Sequence, residues 1–163
     1  MNKLDKIQSK IHTKESLSVL LKTWEKENKK IVFTNGCFDI IHRGHIEYLS
    51  KAADLGDVLF IGVNSDRSVR KLKGNNRPLQ DEDSRLLILA SLLFVDALIL
   101  FEEQTPYELI QFVKPHILVK GSDYKAEDIV GYDIVIKRGG EVKTIDFLPG
   151  YSTTAIEQKI RKG

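Results

Sequence analysis

Two histidines three residues apart, His42 and His45, are the residues whose types and spacing best suit chemistry. They follow a short β-rich run at 31–34 and stand where a helix is expected to begin, so they share one face of its first turn. That turn presents unpaired backbone N–H groups and the positive end of the helix dipole, which attract anions. Imidazoles with a pKa of about 6.5 can donate hydrogen bonds to a phosphate and gain charge as negative charge develops. Gly44 between them permits close approach of a phosphate.

Spacing alone leaves other interpretations of the pair open. Two surface histidines at a helix end would show the same pattern, and a metal site would need a third ligand, for which no matching local spacing exists. Asp39 either helps to hold a magnesium ion carried by a nucleotide or caps the loop. Cys37, the only cysteine, is typical of a small buried apolar residue, because no base accompanies it.

The phosphate-binding motifs of other nucleotide enzymes are absent. The sequence contains neither Gly-x-x-x-x-Gly-Lys-Ser/Thr nor Gly-x-Gly-x-x-Gly, which excludes the P-loop and the dinucleotide fingerprint. The acidic cluster of a phospho-receiver domain is also missing after the first β-rich run.

A second segment rich in charge follows the next β-rich run, at 64–77. A solvated charge run in a mobile loop is the ordinary interpretation. Its place after a strand favours the alternative, in which Lys73 or Arg77 closes over a triphosphate and Asp66 contacts substrate. Arg85 lies in the first turn of a helix, where the dipole disfavours a cation, so either an anionic ligand or a salt bridge is expected there.

Two more segments carry groups that suit a nucleotide. After the run at 117–119, Lys120 is a candidate for a phosphate and Asp123 for a ribose hydroxyl, although a glycine turn with an exposed charge pair explains the same residues. Three hydroxyls, Ser152, Thr153 and Thr154, stand at the start of the last helix, where hydroxyls are also ordinary caps.

The elements that must position these residues alternate along the chain. Apolar runs typical of buried strands occupy 31–34, 58–63, 97–101, 117–119 and 142–147, and helical patterns separate them. Asp81, Thr105 and Thr154 are predicted to open helices. This alternation predicts an α/β, Rossmann-like, doubly wound, mostly parallel five-stranded sheet with helices on both faces, preceded by an N-terminal helical extension at 1–28. Ligands of such sheets bind beyond the carboxyl ends of the strands.

Composition limits the possible partners. The formal net charge is +2, with 25 basic and 23 acidic residues, which is too even for nucleic-acid binding by bulk electrostatics. No secretory signal and no run of about 20 apolar residues is present. We therefore expect a cytoplasmic protein that binds neither nucleic acid nor membrane. The amphipathic start of the chain with Trp24 leaves a homodimer possible.

Together these residues resemble the cytidylyltransferase-like nucleotidyltransferase superfamily, whose signature is His-x-Gly-His after the first strand. The similarity is greatest to the D-glycero-β-D-manno-heptose 1-phosphate adenylyltransferases, and it spans about 29–161. In some bacteria the adenylyltransferase of this family is fused to a sugar kinase. Ser122 and Ser84 depart from the expected glycine and aspartate. The matching motifs are Thr34-Asn35-Gly36-Cys37-Phe38-Asp39, Gly62-Val63-Asn64-Ser65-Asp66, Arg70-Lys71-Leu72-Lys73-Gly74, Asn76-Arg77-Pro78, Val119-Lys120-Gly121-Ser122-Asp123-Tyr124 and Gly150-Tyr151-Ser152-Thr153-Thr154.

The resemblance implies that residues 29–163 transfer AMP from ATP, with Mg²⁺, to D-glycero-β-D-manno-heptose 1-phosphate. The products would be pyrophosphate and ADP-heptose, which is a precursor of lipopolysaccharide. The resemblance implies that His42 and His45 contact the phosphates of the nucleotide. With Lys73 they are the candidates for catalysis, and Asp39, Asp66, Arg77 and Arg85 are the candidates for contact with the substrate. The nucleotide would be bound by Asn35, Gly36, Cys37, Phe38, Gly44, Lys120, Gly121, Asp123, Tyr124, Ser152, Thr153 and Thr154.

Two other functions stay open. A cytidylyltransferase acting on glycerol 3-phosphate or a related phosphate would share most of these motifs, although such enzymes usually carry an arginine shortly before the final Ser/Thr cluster, and 147–150 contain none. A non-catalytic nucleotide-sensing module would bind nucleotide in the same cleft and release no pyrophosphate.

Overall fold

A computed structural model describes residues 1–162. Six strands form one sheet, and every pair of neighbours in it is parallel. The strands are β1 (Ile11–His12), β2 (Ile31–Gly36), β3 (Val58–Asn64), β4 (Ala97–Phe101), β5 (Ile117–Gly121) and β6 (Glu141–Ile145). Their order across the sheet is β1-β4-β3-β2-β5-β6.

Eight α-helices are described around this sheet, together with a 3-10 helix at Ala126–Asp128. Their bounds are α1 (Lys3–Gln8), α2 (Lys14–Lys26), α3 (Arg43–Ala53), α4 (Asp66–Lys73), α5 (Glu82–Ala90), α6 (Tyr107–Val113), α7 (Tyr132–Lys137) and α8 (Thr153–Arg161). None of the helices within 1–162 is both long enough and apolar enough to cross a membrane.

The sheet is covered on both faces because its central strands are buried throughout. β3 has no exposed residue, and successive side chains of β2 point to opposite faces. Phe33 packs in one core with residues of α2, α6 and α7. Val32 packs in the other core with residues of α3 and α5. This confirms the predicted doubly wound α/β architecture.

The strand order reverses beside β2. The chain runs from β2 through β3 to β4 on one side, and then returns by α6 to β5 and β6 on the other side. The carboxyl ends of β2 and β5 therefore flank the crevice in which doubly wound sheets bind their ligands.

The sheet has six strands, so the predicted count of five was wrong. The sixth is β1, whose two residues pair with Leu98 and Ile99. The helical extension at 1–28 is not confirmed, because its residues supply this edge strand and two core side chains, Leu17 and Trp24. The domain boundary at 28/29 stays a prediction, and Gly163 lies outside the described residues.

Four local predictions also change. The charged segment predicted as a mobile loop contains helix α4, since Ser65 caps it (Ser68 N to Ser65 Oγ, 3.1 Å) and Val69 is buried. Strand β6 ends at Ile145, which leaves 146–147 outside the sheet. Helices α6 and α8 do not begin at the predicted caps: Pro106 is the N-cap of α6, and Ser152 caps α8 through Ala155 N at 3.0 Å.

Candidate active site

A cavity of about 450 Å³ opens at the carboxyl edge of the sheet. The ends of β2, β3 and β5 and the segments that follow β4 and β6 all reach it. It is lined by Asn35, Gly36, Cys37, Phe38, Asp39, His45, Tyr48, Asn64, Leu72, Lys73, Gln104, Thr105, Pro106, Lys120, Gly121, Asp123, Tyr124, Asp128, Ile129, Val130, Phe147 and Thr153.

The loop between β2 and α3, residues 37–42, is held by a buried carboxylate. Asp39 accepts hydrogen bonds from Leu79 N (2.8 Å), Gln80 N (3.0 Å) and Arg77 Nη1 (3.1 Å). Burial by itself would raise the pKa of Asp39, but these backbone donors and the Arg77 guanidinium hold the pKa below its usual value. Asp39 is therefore an ionised anchor of the loop, and its carboxylate is fully used by protein donors.

Two arginines fasten this loop to other elements. Arg77 joins Asp39 to Glu157 of α8. Arg85 is fully buried, and its guanidinium donates to Cys37 O (2.6 Å), Gln80 O (3.2 Å) and Asp66 Oδ1 (2.8 Å). Of the alternatives left open for Arg85, the structure thus shows the salt bridge.

The two histidines stack on each other at the start of α3. Their ring centroids lie 3.9 Å apart, and His42 is the N-cap residue of the helix. The backbone N–H of His42 donates to His45 Nδ1 at 3.4 Å. A neutral His45 ring therefore carries its proton on Nε2, which remains as a donor. Only His45 of the pair lines the cavity; His42 Nδ1 is buried without a hydrogen-bond partner among the described residues.

Burial changes the acid–base behaviour predicted for this pair. The pKa of His45 is lowered to about 4, mainly by desolvation and to a smaller extent by the nearby His42 and Lys73. Desolvation also lowers the pKa of His42. Both rings are consequently mostly neutral near pH 7, and they carry less positive charge than imidazoles with the ordinary pKa of about 6.5 would. In the free protein they act as neutral hydrogen-bond donors.

A partly buried lysine lines the same cavity as His45. Lys120 Nζ donates to Asn35 O at 3.2 Å, and desolvation lowers the pKa of Lys120 to about 8. Asn35 Oδ1 is buried and has no hydrogen-bond partner within 1–162. Burial raises the pKa of the Cys37 thiol, which keeps it protonated. The β2–β5 crevice thus offers a cation and a free amide oxygen, but no thiolate nucleophile.

Aromatic rings form another part of the lining. The rings of Tyr48 and Phe147 stack with centroids 5.7 Å apart, and the Tyr48 hydroxyl lies 2.9 Å from Thr34 Oγ1. Burial raises the pKa of Tyr48 to about 12. A Cβ added at Gly121 would overlap Cζ of the Phe147 ring, so only glycine fits beneath this ring.

The structure brings most of the predicted site residues together and excludes some from the cavity. Thr153 lines it, and its hydroxyl donates to Asp39 O at 2.5 Å. The other predicted residues on its wall are Asn35, Gly36, Cys37, Phe38, Asp39, His45, Lys73, Lys120, Gly121, Asp123 and Tyr124. The predicted residues that do not line it are His42, Gly44, Asp66, Arg77, Arg85, Ser152 and Thr154.

These exclusions have physical reasons. Arg77, Arg85 and Asp66 are used in ion pairs that hold the site together, so the structure does not support their direct contact with substrate. Gly44 is buried behind the pair; a Cβ there would lie 3.0 Å from His42 Cε1. Its small size therefore favours the packing of the rings, and its role in the approach of a phosphate stays a prediction.

Sequence reasoning missed a group of lining residues. Gln104, Thr105 and Pro106 follow β4, and the rule that ligands lie beyond strand ends would have selected them. Thr105 and Pro106 were interpreted only as a helix start. For Phe147, predicted as part of a strand, and for Asp128, Ile129 and Val130 the sequence carries no comparable signal.

No group of three or more histidine, cysteine or acidic side chains that could hold a metal ion occurs in residues 1–162.

Comparisons with known proteins agree with this geometry. The family model described as cytidylyltransferase-like matches residues 33–159. The bifunctional protein HldE of a Nitratiruptor species is 55% identical over 90% of this chain, and that of Campylobacter jejuni subsp. jejuni serotype O:2 is 56% identical over 94%. The chain spans about a third of the length of these curated relatives, 31% and 32%.

A solved structure shares this fold over nearly the whole of its own length. The lipopolysaccharide core biosynthesis protein from Thermoplasma volcanium GSS1 is 34% identical, with a TM-score of 0.61, over 74% of this chain and 97% of that one.

Proposed function

The chain belongs to the cytidylyltransferase-like family, and from this premise we propose that it is an adenylyltransferase. It moves AMP from ATP to D-glycero-β-D-manno-heptose 1-phosphate and releases pyrophosphate, so that the product is ADP-heptose for lipopolysaccharide. The similarity of its motifs to heptose 1-phosphate adenylyltransferases supports the acceptor. So does the identity of 55% and 56% of the aligned residues to the bifunctional relatives, since the adenylyltransferase is fused to a kinase in some bacteria.

The observation that carries the proposal is the stacked pair of neutral histidines at the start of α3, beside a cavity that also contains Lys73 and Lys120. Neutral N–H donors and separate cations suit a polyphosphate chain, whose charge is distributed over several oxygens. Cys37, with its raised pKa, gives no reason to invoke a covalent intermediate.

The mechanism follows from the charge of the acceptor. A sugar phosphate is already an anionic nucleophile, so one of its oxygens attacks the α-phosphorus in line without a general base. The bond from that phosphorus to the β-phosphate oxygen breaks, and pyrophosphate leaves. His45 Nε2 donates to the phosphate oxygens on which charge accumulates, and His42 supports that ring by stacking. The protein thus supplies position and charge stabilisation.

We include Mg²⁺ in the proposal as a companion of ATP. The carboxylates of the cavity wall do not form a cage of their own, and Asp39 is engaged by three donors. Bound to the triphosphate oxygens, the ion would offset their charge. Location in the cytoplasm, where ATP and sugar phosphates are made, belongs to the same proposal, and the homodimer stays a prediction.

The test is incubation of the protein with ATP or CTP and a panel of phosphates, followed by measurement of pyrophosphate. We expect release with ATP and D-glycero-β-D-manno-heptose 1-phosphate, and far less with CTP and glycerol 3-phosphate. The reverse preference would identify a cytidylyltransferase. Nucleotide binding in calorimetry with no pyrophosphate from any acceptor would identify a nucleotide-sensing module.

A further inference from the structure

The cavity has two walls of different chemistry. Its aromatic wall consists of Phe38, Tyr48, Tyr124 and Phe147, which all come from the β2, β5 and β6 side. A second set of lining residues, from the segments that follow β4 and β5, contains no aromatic ring. It carries an amide, a hydroxyl and a carboxylate from Gln104, Thr105 and Asp128, together with the apolar residues Pro106, Ile129 and Val130. We call this second set the polar wall.

We propose that the polar wall is the binding site for the hydroxyl groups of the acceptor sugar, and that Gln104 and Thr105 determine its recognition. This inference rests on the proposed adenylyl transfer and names residues for the half of the reaction that the histidine motif does not explain.

The hydroxyl of Thr105 is available for this role because it does not cap a helix. The capping box predicted from Thr105 to Glu108 does not form: helix α6 begins at Tyr107, its N-cap is Pro106, and no side chain caps it. No hydrogen bond of the Thr105 or Gln104 side chain is described within 1–162, and both residues are exposed at the cavity. Their polar atoms are thus unused by the fold.

The polar wall is assembled from two segments that contact each other beyond the cavity. The hydroxyl of Tyr107 donates to Asp133 Oδ2 at 2.9 Å, which joins the start of α6 to the start of α7. Gly131 lies against Ile110, where an added Cβ would be 2.6 Å from Cδ1 of the isoleucine. The segment after β4 and the turn at 126–131 are therefore fixed with respect to each other, as a single recognition surface requires.

The choice between nucleoside and sugar follows from the chemistry of the two walls. A base is bound by backbone groups and by stacking on aromatic rings, and only the aromatic wall offers such rings. A sugar presents several hydroxyls that donate as well as accept. An amide, a hydroxyl and a carboxylate can satisfy both kinds of hydrogen bond.

Charge orients the acceptor between the walls. The carboxylate of Asp128 accepts hydrogen bonds from hydroxyls but repels a phosphate, whereas Lys73 and the His45 ring attract one. The phosphate end of the acceptor therefore lies toward Lys73 and His45, and the sugar ring lies toward Gln104 and Thr105. This orientation presents a phosphate oxygen to the α-phosphorus of ATP.

The test separates recognition of the acceptor from recognition of ATP. Gln104→Ala and Thr105→Val are compared with the wild type in steady-state release of pyrophosphate, varying D-glycero-β-D-manno-heptose 1-phosphate and ATP in turn. We expect KM for the sugar phosphate to rise about tenfold in each variant, as the loss of one or two hydrogen bonds implies. We expect KM for ATP to change less than about twofold, and Thr105→Ser to retain the wild-type value for the sugar.

Glu102→Gln is the matched control. Glu102 belongs to the same segment, is exposed, and lies outside this cavity, so neither KM should change. An unchanged ATP KM and melting temperature in the other variants show that their fold is intact.

Two failures can be told apart. If the wild type is active with the sugar phosphate and Gln104→Ala and Thr105→Val leave its KM unchanged, or raise both KM values equally, the polar wall does not bind the acceptor. If the wild type releases no pyrophosphate with any sugar 1-phosphate, the proposed function is wrong, and this inference is overturned with it.

Discussion

The loop at 37–42 and the basic segment at 70–73 both carry charged or polar groups and both reach the cavity, but they are built in opposite ways. The loop is tied at Asp39, whose carboxylate accepts three hydrogen bonds, and at Cys37 O, which accepts one from Arg85. In the basic segment, Arg70, Lys71 and Lys73 are exposed and form no ion pair within residues 1–162.

The contrast between the two segments shows which groups can be preorganised. A donor that is fixed before the substrate arrives stabilises developing charge without reorganisation at the moment of reaction. The loop fixes the histidines in this way by means of buried ion pairs. Lys73 is held only by its place at the end of α4. The next residue, Gly74, lies in open space, since a Cβ added to it would have no atom within 4 Å. It is suited to approach the phosphates after they have bound.

The largest effect is expected from His45→Ala. It removes the donor Nε2 at the cavity while leaving the buried anchors of the loop in place, so kcat for pyrophosphate release should fall about 10³-fold, as loss of an oxyanion donor does. The melting temperature should change little. His12→Ala is the control, because His12 lies in the edge strand far from the cavity. Turnover near normal in His45→Ala would contradict the site.

Arg85→Met tests the anchoring of the loop. It leaves Asp66 and the carbonyls of Cys37 and Gln80 without their buried partner, so the free energy of unfolding should fall by about 3 kcal/mol, with a loss of kcat. Urea unfolding measures the first quantity. The matched variant is Arg67→Met, whose ion pair with Glu102 is exposed and should contribute less than about 1 kcal/mol. Equal stabilities of the two variants would show that the anchoring is unimportant.

The strands of the sheet can be predicted from the sequence wherever they are long and buried on both faces. The runs at 58–63 and 97–101 lie in the middle of the sheet, where burial on both faces leaves a continuous apolar stretch. Strand β1 could not be predicted, since its two residues are only partly buried and acquire strand geometry by pairing with Leu98 and Ile99.

The candidate site was predictable up to the point where side chains from distant segments meet. His45 and Lys120 could be selected because each follows an apolar run that predicts a strand, at 31–34 and at 117–119. The sequence left Arg85 open between an anionic ligand and a salt bridge, because its partners Cys37 and Asp66 lie 48 and 19 residues away in sequence. Thr105 was assigned to a cap because a capping box is a local pattern, whereas the choice of Pro106 as N-cap belongs to the packed structure.

Lys73→Met tests the basic segment at 70–73 directly. Removal of an exposed cation that approaches the triphosphate should lower kcat/KM for ATP about 30-fold, roughly 2 kcal/mol. The free energy of unfolding should stay within about 0.5 kcal/mol, since no described contact of the fold depends on the ammonium group. Lys71→Met, on the same helix but outside the cavity, should change neither. A loss of stability in Lys73→Met would mean that both regions are preorganised.

The smallest expected effect concerns Lys120, which is a cation like Lys73 but is buried like the loop. Burial lowers the pKa of Lys120 to about 8 in the free protein, and a bound anion would raise that pKa again. Above this value the lysine must take up a proton before it can pair with phosphate, so ATP affinity should fall by up to tenfold between about pH 8 and pH 9. Below it the ammonium form is already present, and the affinity should level off.

Lys120→Arg provides the comparison for this pH dependence, since a guanidinium stays charged throughout the range. Calorimetric titrations with ATP at several pH values should show a decline for the wild type and a flat profile for the variant. The wild type should also take up a proton on binding near pH 8, seen as a heat that depends on the buffer. The same slope in both proteins would mean that Lys120 does not contact the phosphates, and that fixed donors and the exposed Lys73 alone hold them.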